Sequence, residues 1–556
     1  MWLFRRPSSV SVLLAGILAI AVGVRVWGLD FGLPHTQARP DETQIIDVTL
    51  AFLRGNFTPP FYDYPWLYMW VLTGLYLGYF VWGVIGGTFH SVADLVASWP
   101  LHWEPFFLLS RSISAAAGTA TVFVLYRLGR KLWGEATGLV AAFFLSLTFL
   151  HARDSHFGTT DVTMTLFIIG SVSLLVSAHL TGRRSLFALG GAVAGLAVAT
   201  KYTALMLAAP ILASLILHVV DSQGRRLQAA LDSRLLWFGV PFAAALSIGI
   251  PFVVLDSGRF WAAIAELTHS MLNGPPHVAL TNGWLHHLNV SLRHGLGLPL
   301  LVTGLIGAAA LLVREPRLGV LLLAFPISQY LVAGGMRNLF VRYAIPLVPF
   351  LCLTAAWLIC QSLKRLAPTA GNPHRGALAV AVATAAVSVL IVRPSAVSTW
   401  QFDRIMANAD NRVVVDDWFR KNIPPGDSVL QSGSPYGHAQ LDSRVWVAWR
   451  WDRGRGIFTV NNRPATGRPD WILLQDSPLP SATQDIVKEF LRERYEFAWQ
   501  FTALSAKDRG VYDQHDAFFM PLAGFTGVRR PGPNFSLYRR PGKSSSQPPE
   551  DLRPSR

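Results

Sequence analysis

Side chains able to move protons or hold phosphate gather at a few places in a chain otherwise poor in charge. Asp41 and Glu42 stand together in Arg39-Pro40-Asp41-Glu42, just after the first apolar segment. Arg153, Asp154, His156 and Asp161 cluster at another apolar boundary, and Lys201-Tyr202 and Arg342 stand at two more. A positioned carboxylate can take the proton of an attacking hydroxyl. Lysine and arginine can hold the phosphate of a lipid, arginine in a bidentate fashion. Plainer readings stand beside these. Asp41 with Gln44 makes a capping-box pattern, and Asp161 can cap the helix it begins, with Thr159 and Thr160 as competing caps. His156 can be a hydrogen-bonded surface histidine, and Lys201 can snorkel to the membrane edge. Asp416-Asp417 reads as an exposed helix face.

The elements that must position these residues are membrane spans. The chain has 556 residues, 51% hydrophobic and 15% charged, against roughly 25% charged in soluble domains. Apolar blocks recur as far as Val392, many of them reaching the ~20 residues a span needs. The fold class is therefore mainly α, a polytopic helical membrane protein with a smaller C-terminal domain. The net charge of +15 lies mainly in short clusters between apolar blocks. That is the positive-inside pattern, so the basicity reports topology and contact with membrane lipid, and nucleic acid is not expected as a partner. Cys352 and Cys360 share one apolar segment and form no metal-binding spacing.

About eleven spans are expected, the first near residues 10–24 and the rest near 106–126, 136–151, 162–180, 185–200, 203–220, 235–255, 296–313, 318–334, 339–360 and 377–392. Clusters such as Arg127-Arg130-Lys131, Arg183-Arg184, Arg225-Arg226, Arg314-Arg317 and Lys364-Arg365 then all face the cytoplasm, with the N-terminus. Pro65 to Gly87 is long enough to cross but would invert that pattern. It is read as an interfacial helix, rich in Trp and Tyr, within an external loop of about residues 29–105, with an ordinary span paired with a further crossing as the alternative. This parity puts Asp41-Glu42, residues 151–161, Lys201 and Arg342 on one outer side. Ionisable residues gathered at span ends are a functional site by default. The stretch from Asp256 to Arg293, with His269, His277 and His286-His287, reads as a flexible loop covering substrate. It lacks zinc-ligand spacing.

Past Val392 the pattern changes to a small external α/β domain, residues 394–540, followed by a disordered tail, 541–556. A helix is expected over Asn411–Lys421, strands over Ser428–Leu430, Trp471–Leu474, Glu496–Phe501 and Phe535–Tyr538, and a helix over Ser481–Tyr495, with Ile486, Phe490 and Leu491 on one face. With residues 1–393 as the membrane domain, that completes the chain.

The order of motifs resembles the GT-C membrane glycosyltransferases, specifically the protein O-mannosyltransferase and aminoarabinose-transferase group and its bacterial members. The matching residues are Arg39-Pro40-Asp41-Glu42, Tyr64-Pro65, Arg111-Ser112-Ile113-Ser114-Ala115, Tyr126 to Gly134, Ser155-His156 with Asp161, Gly195 to Tyr202, and Arg342 to Pro349. The resemblance covers roughly residues 10–360. The sequence departs from the pattern in having Arg39 where a histidine is common, and in having no lysine before Pro65. Lys201, Arg342 and Arg111 are then the candidates for the donor phosphate.

The resemblance implies transfer of a sugar from a polyprenyl-phosphate donor to a hydroxyl of a glycan, lipid or protein acceptor, on the outer face of a bacterial inner membrane. Asp41 would be the general base and Glu42 would orient the acceptor. Lys201, Arg342 and Arg111 would meet the phosphate, and Asp161 and His156 the sugar hydroxyls. Arg153, Asp154, Tyr202 and His277 would complete the binding residues, and a single displacement would invert the anomeric centre. Paired carboxylates could also hold a divalent cation, as in some GT-C enzymes. A flippase for lipid-linked glycans is the alternative. It would need charges buried mid-span and inverted repeats, whereas the charges here collect at one side. A membrane-anchored binding module run by the C-terminal domain is a third reading, and it would not require the acidic first loop.

Overall fold

The structure, a computed structural model, describes every residue except 1–8, 58–61, 222–233, 275–280, 367–372, 453–456, 481, 506–508 and 544–556. His277, the Arg225-Arg226 cluster, most of the polar tail, and the side chains of Ile486 and Phe490 lie outside the described residues. The chain packs as two compact units. One comprises residues 1–27 and 44–400, the other residues 28–43 and 401–556.

The first unit is helical throughout. Among the described residues, eight helices are long and apolar enough to cross a membrane. They include Ser9–Val26, Glu104–Trp133, Thr160–Thr181, Pro316–Gly335 and Val341–Leu366. Gly283–Leu296 and Leu298–Arg314, bent by 114° at Gly297, make a ninth if taken as one span. Shorter apolar helices, Glu135–Leu147, Arg184–Thr200 and Arg234–Gly249, fill three more of the expected positions. Small residues let these helices approach closely. Gly191 and Gly195 lie against the backbone of Phe238 and Phe242, and Gly304 and Gly307 against that of Leu351 and Thr354. A methyl group at any of them would strike main chain.

Leu67–Ile85 also passes the test of length and hydropathy for a span. Its polar contacts fall near the ends of its neighbours. Tyr68 donates to the Ser110 carbonyl and Tyr76 to that of Phe106, both in the first two turns of Glu104–Trp133. Trp70 donates to the Ile248 carbonyl, at the end of Arg234–Gly249. Two further expectations change. The stretch after Asp256, expected as a flexible loop, carries the helix Ser257–Asn273 and the helical run to Leu296. Phe260, Ile264, Leu267 and Met271 recur at helical spacing there. The last span does not stop at Arg393, because Pro373–Met406 is one helix that continues through Pro394.

The second unit is an α/β layer. Its sheet runs in the order β4-β3-β2-β1-β5-β7-β6. The strands are β1 Ser428–Gln431, β2 Val447–Asp452, β3 Ile457–Val460, β4 Arg463–Pro464, β5 Trp471–Asp476, β6 Glu496–Phe501 and β7 Asn534–Arg539. Strand β1 lies parallel to both β2 and β5, and the remaining pairs are antiparallel. Alternate residues of β5 serve opposite faces. Trp471 and Leu473 pack with Val415, Trp418 and Phe419 of the helix Asn411–Asn422. Ile472 and Leu474 pack with Leu491 of the helix Asp485–Arg492. The expected strands and helices are present, and the β2–β3–β4 portion is additional. Residues Gly28–Thr43 join this unit through ties no sequence spacing announces. Phe31 meets Phe518 edge to face, and His35 Nε2 donates to the His438 carbonyl at 2.7 Å.

Candidate active site

The first unit buries charged side chains at helix ends. Lys201, just past Arg184–Thr200, donates from Nζ to Asp161 Oδ1 at 2.7 Å, with both side chains almost wholly withdrawn from solvent. Asp161 lies inside the first turn of Thr160–Thr181, and Thr159 occupies the cap position without a side-chain cap bond. The capping reading of Asp161 is therefore replaced by an ion pair, because Lys201 takes the carboxylate. The snorkelling reading of Lys201 falls for the same reason. The Lys201 ammonium also sits 5.4 Å from the Tyr64 ring centroid and 5.6 Å from that of Tyr343, within range of a cation–π attraction.

Arg342 precedes Tyr343 in a 3-10 turn, Val341–Leu347, and lies buried with its guanidinium 4.2 Å from the Phe340 ring. Arg153 and Asp154 form a second buried pair at 2.8 Å. Arg111 is fully buried beside Phe107, and Gly158 packs against Ser110 and the Arg111 backbone. Ser114 donates to the Thr159 carbonyl. The start of Glu104–Trp133 is thereby tied to the loop that carries Asp161. Arg111, Arg153, Lys201 and Arg342 are buried, as are the carboxylates Asp154 and Asp161.

His156 sits within this frame, its Nδ1 3.0 Å from the Ala152 carbonyl and its Nε2 3.1 Å from that of Trp27. Both nitrogens face backbone, so the ring fixes the loop, and the hydroxyl-binding place expected for it is taken. Tyr202 donates to the Tyr62 carbonyl at 3.0 Å, and Tyr62 in turn donates to Asp256 at 2.7 Å. Tyr343 donates to the Met271 sulfur. The helix Ser257–Asn273 is thus fastened to the segments that carry Lys201 and Arg342.

Asp41 and Glu42 belong to the second unit and open the helix Pro40–Leu53. Asp41 is not its cap. Pro40 is the first helical residue, the position where a missing N–H and a fixed φ suit a helix start, so both acids lie in the first turn. Their environments differ, since Glu42 is fully buried whereas the Asp41 side chain is 25% exposed. Arg39 donates from Nη1 to both carboxylate oxygens of Asp516 at 2.6 Å. Its Nη2 lies 3.8 Å from Asp41. Asp516 therefore holds the guanidinium, and Asp41 keeps an accessible carboxylate beside a cation. Among the described residues no three His, Cys, Asp or Glu side chains are grouped to hold a metal ion.

Several participants escape a reading of the sequence. Arg25 looks like the basic end of the first span. Instead it is buried, donating to the carbonyls of Ala21, Leu145 and Ser146 and lying 3.0 Å from His151 Nδ1. Gly118 leaves room for it and for Ser155. Tyr64, Tyr343 and Asp516 likewise acquire their places only through distant contacts. A basic residue inside an apolar run was the one available signal, and it pointed to Arg25.

Residues 102–248 match the family model described as dolichyl-phosphate-mannose-protein mannosyltransferase. No curated protein sequence matches the chain. Among solved structures, ArnT from Cupriavidus metallidurans bound to undecaprenyl phosphate superposes with a TM-score of 0.50 at 13% identity, over 78% of this chain and 83% of that one. The archaeal oligosaccharyltransferase AglB from Archaeoglobus fulgidus, in complex with an inhibitory peptide and a dolichol-phosphate, gives 0.49 at 14% identity, over 78% and 63%. An apo form of the Archaeoglobus fulgidus oligosaccharyltransferase gives 0.46 at 12%, over 76% and 62%. The chain thus spans less than two-thirds of the length of these archaeal relatives. The likeness to ArnT shows the fold, and the resemblance to the GT-C membrane glycosyltransferases is borne out.

Proposed function

We propose that this protein is a membrane glycosyltransferase that moves a sugar from a polyprenyl-phosphate donor to an acceptor hydroxyl on the outer face of the membrane. The observation that carries this reading is the buried set of four cations and two carboxylates at helix ends of the membrane unit. Burying charge in such a unit is expensive and marks a functional site. Buried cations at this place suit a departing lipid phosphate, which gains negative charge as the glycosidic bond breaks. The family match over residues 102–248 covers Arg111, Arg153, Asp154, Asp161 and Lys201 and supports the same reaction.

In this mechanism Asp41 takes the acceptor proton as the hydroxyl oxygen attacks the anomeric carbon. The lipid phosphate leaves with the bonding pair, and one displacement inverts that centre. Arg342 and Arg111 meet the phosphate. Lys201, already held by Asp161, adds charge and keeps Tyr64 and Tyr343 in place. The acceptor is a glycan, lipid or protein hydroxyl. The helix Leu67–Ile85 lies at the outer membrane edge, in keeping with its contacts at the ends of its neighbours. In this reading the protein sits in a bacterial inner membrane with its N-terminus cytoplasmic and its C-terminal domain outside.

The test compares glycolipids and glycoproteins by mass spectrometry in a strain lacking the gene, complemented with wild type or Asp41→Asn. The expected result is a product present with wild type and reduced ~100-fold or more with Asp41→Asn at equal membrane abundance, the range a general base contributes. Full transfer by a folded Asp41→Asn protein would sink the assignment of the base.

A further inference from the structure

The second unit holds a cavity of about 870 Å³ over the carboxyl ends of β1 and β2. Two features of the sheet create it. Strand β1 is the point where the strand order reverses, because the chain leaves it for β2 on one side and later enters β5 on the other. In open α/β sheets such a point leaves a crevice beyond the strand ends, where ligands bind. The helix Asp485–Arg492 also covers only part of its face. Its Leu491 packs with Ile472, Leu474 and Tyr538, while Trp449 and Phe458 pack at the edge of that cluster.

The uncovered part is aromatic. Trp449 and Trp451 are two residues apart on β2 and share a face, and Trp451 pairs with Phe458 across the β2–β3 ladder. The Phe458 ring lies 4.8 Å from that of Trp451 and 5.8 Å from that of Trp449, both edge to face. The indole of Trp451 remains 38% exposed. Arg450, His438 and Gln484 also line the cavity, Arg450 from the face of β2 opposite the shelf. The hydroxyls of Ser432 and Thr483 bond to each other, joining the end of β1 to the segment that leads into the helix. Gln431 is spent on both main-chain groups of Ala439, so it shapes the wall and is not available to a ligand. No carboxylate lines the cavity among the described residues.

We propose that this cavity binds a glycan. A pyranose ring offers an apolar C–H face and a rim of hydroxyls that both donate and accept. The shelf of Trp449, Trp451 and Phe458 supplies the complementary surface for the face. The amide of Gln484, which carries both donors and an acceptor, serves the rim. The volume lies within the ~300–1,000 Å³ typical of sites for small ligands and leaves room for more than one ring. An acyl chain would offer no hydrogen-bonding group to Gln484 at the rim of the shelf. The site depends only on the second unit, so it stands or falls separately from the transfer reaction.

The full-length protein in lipid nanodiscs is titrated with neutral and uronate-containing oligosaccharides of two to four rings, followed by tryptophan fluorescence and saturation-transfer NMR. The expected result is saturable binding by at least one oligosaccharide, weakened about tenfold by Trp451→Ala. Gln484→Ala weakens it less. Phe497→Ala, an exposed residue on β6 at the far edge of the sheet, leaves it unchanged and controls for folding. Asp41→Asn also leaves it unchanged, which separates this site from the proposed reaction centre. Binding that survives Trp451→Ala, binding by none of the oligosaccharides, or displacement of the glycan by an apolar peptide or acyl chain overturns the proposal.

Discussion

Lys201 Nζ and Asp161 Oδ1 lie 2.7 Å apart although forty residues separate them in sequence, and both side chains are almost wholly buried. One helix ends and another begins at this bond, so it fixes the relative position of two spans as well as a charge. Removing one partner of a buried ion pair destabilises by ~3–5 kcal/mol. Asp161→Asn and Lys201→Met should each lower the unfolding temperature in detergent markedly. Asp161→Leu with Lys201→Met should recover part of that loss, because neither charge is then stranded. If each single substitution is as stable as wild type, the pair is not held as described.

Burial separates the two adjacent acids as well. Glu42 is fully enclosed whereas Asp41 is partly open, so conservative amidation should affect them differently. Asp41→Asn removes a carboxylate from the first turn of a helix, an effect of ~0.3–1 kcal/mol. Glu42→Gln changes a group that the fold has already enclosed. Thermal unfolding should therefore shift more for Glu42→Gln than for Asp41→Asn, while transfer activity should fall more for Asp41→Asn. Equal effects of the two on both measurements would contradict a division of labour between them.

The spans were legible because their signal is local: twenty apolar residues bounded by arginines announce a helix wherever it finally packs. The strands β1, β5, β6 and β7 were legible for the same reason. Strands β2 and β3 were not, because Val447 to Asp452 is exposed along most of both faces, and a shelf left open for a ligand lacks the alternation that marks a half-buried strand. The site was half legible. Charged residues at span ends could be recognised as costly, yet which cation meets which carboxylate is decided by long-range packing. Lys201 with Asp161 and Arg39 with Asp516 are both pairs that spacing cannot propose. Capping was the plainer alternative for Asp161 because its local sequence suits a cap, and a lysine forty residues on takes the carboxylate instead.

Acid should weaken the second unit through His35. Its Nε2 donates to the His438 carbonyl at 2.7 Å, while Nδ1 accepts from the Gln37 N–H at 3.1 Å, so the neutral ring is the one that fits. Burial foremost, with the Arg412 charge adding, lowers its pKa from 6.5 to about 3, against a smaller opposing effect of Asp410. Between those values the unfolded chain binds the proton and the folded chain does not. Stability therefore drops as pH falls below about 6.5, by up to about 1.4 kcal/mol per unit, and levels off near 3. His438, lowered to about 4 mainly by burial, adds to the same slope. Hydrogen exchange of β1 and β5 across pH 7 to 4.5, corrected for intrinsic rates, should show falling protection, with a shallower fall in His35→Gln. A pH-independent opening free energy would contradict the buried neutral ring.

Asp516 should govern activity without touching substrate. It takes both short bonds from Arg39 and leaves Asp41 3.8 Å from the same guanidinium. In Asp516→Asn the buried guanidinium loses a charged partner, a change of ~1–3 kcal/mol, and Asp41, 3.8 Å away, is a carboxylate able to replace it. Transfer should then fall by about tenfold, because a carboxylate engaged by arginine is a poorer base. The double variant Arg39→Gln with Asp516→Asn removes the competitor and should transfer sugar faster than Asp516→Asn alone, even though it lacks two native side chains. A general loss of folding would instead make the double variant the slower of the two. The ratio of the two rates, at matched membrane abundance, therefore decides between a captured base and a merely weakened fold.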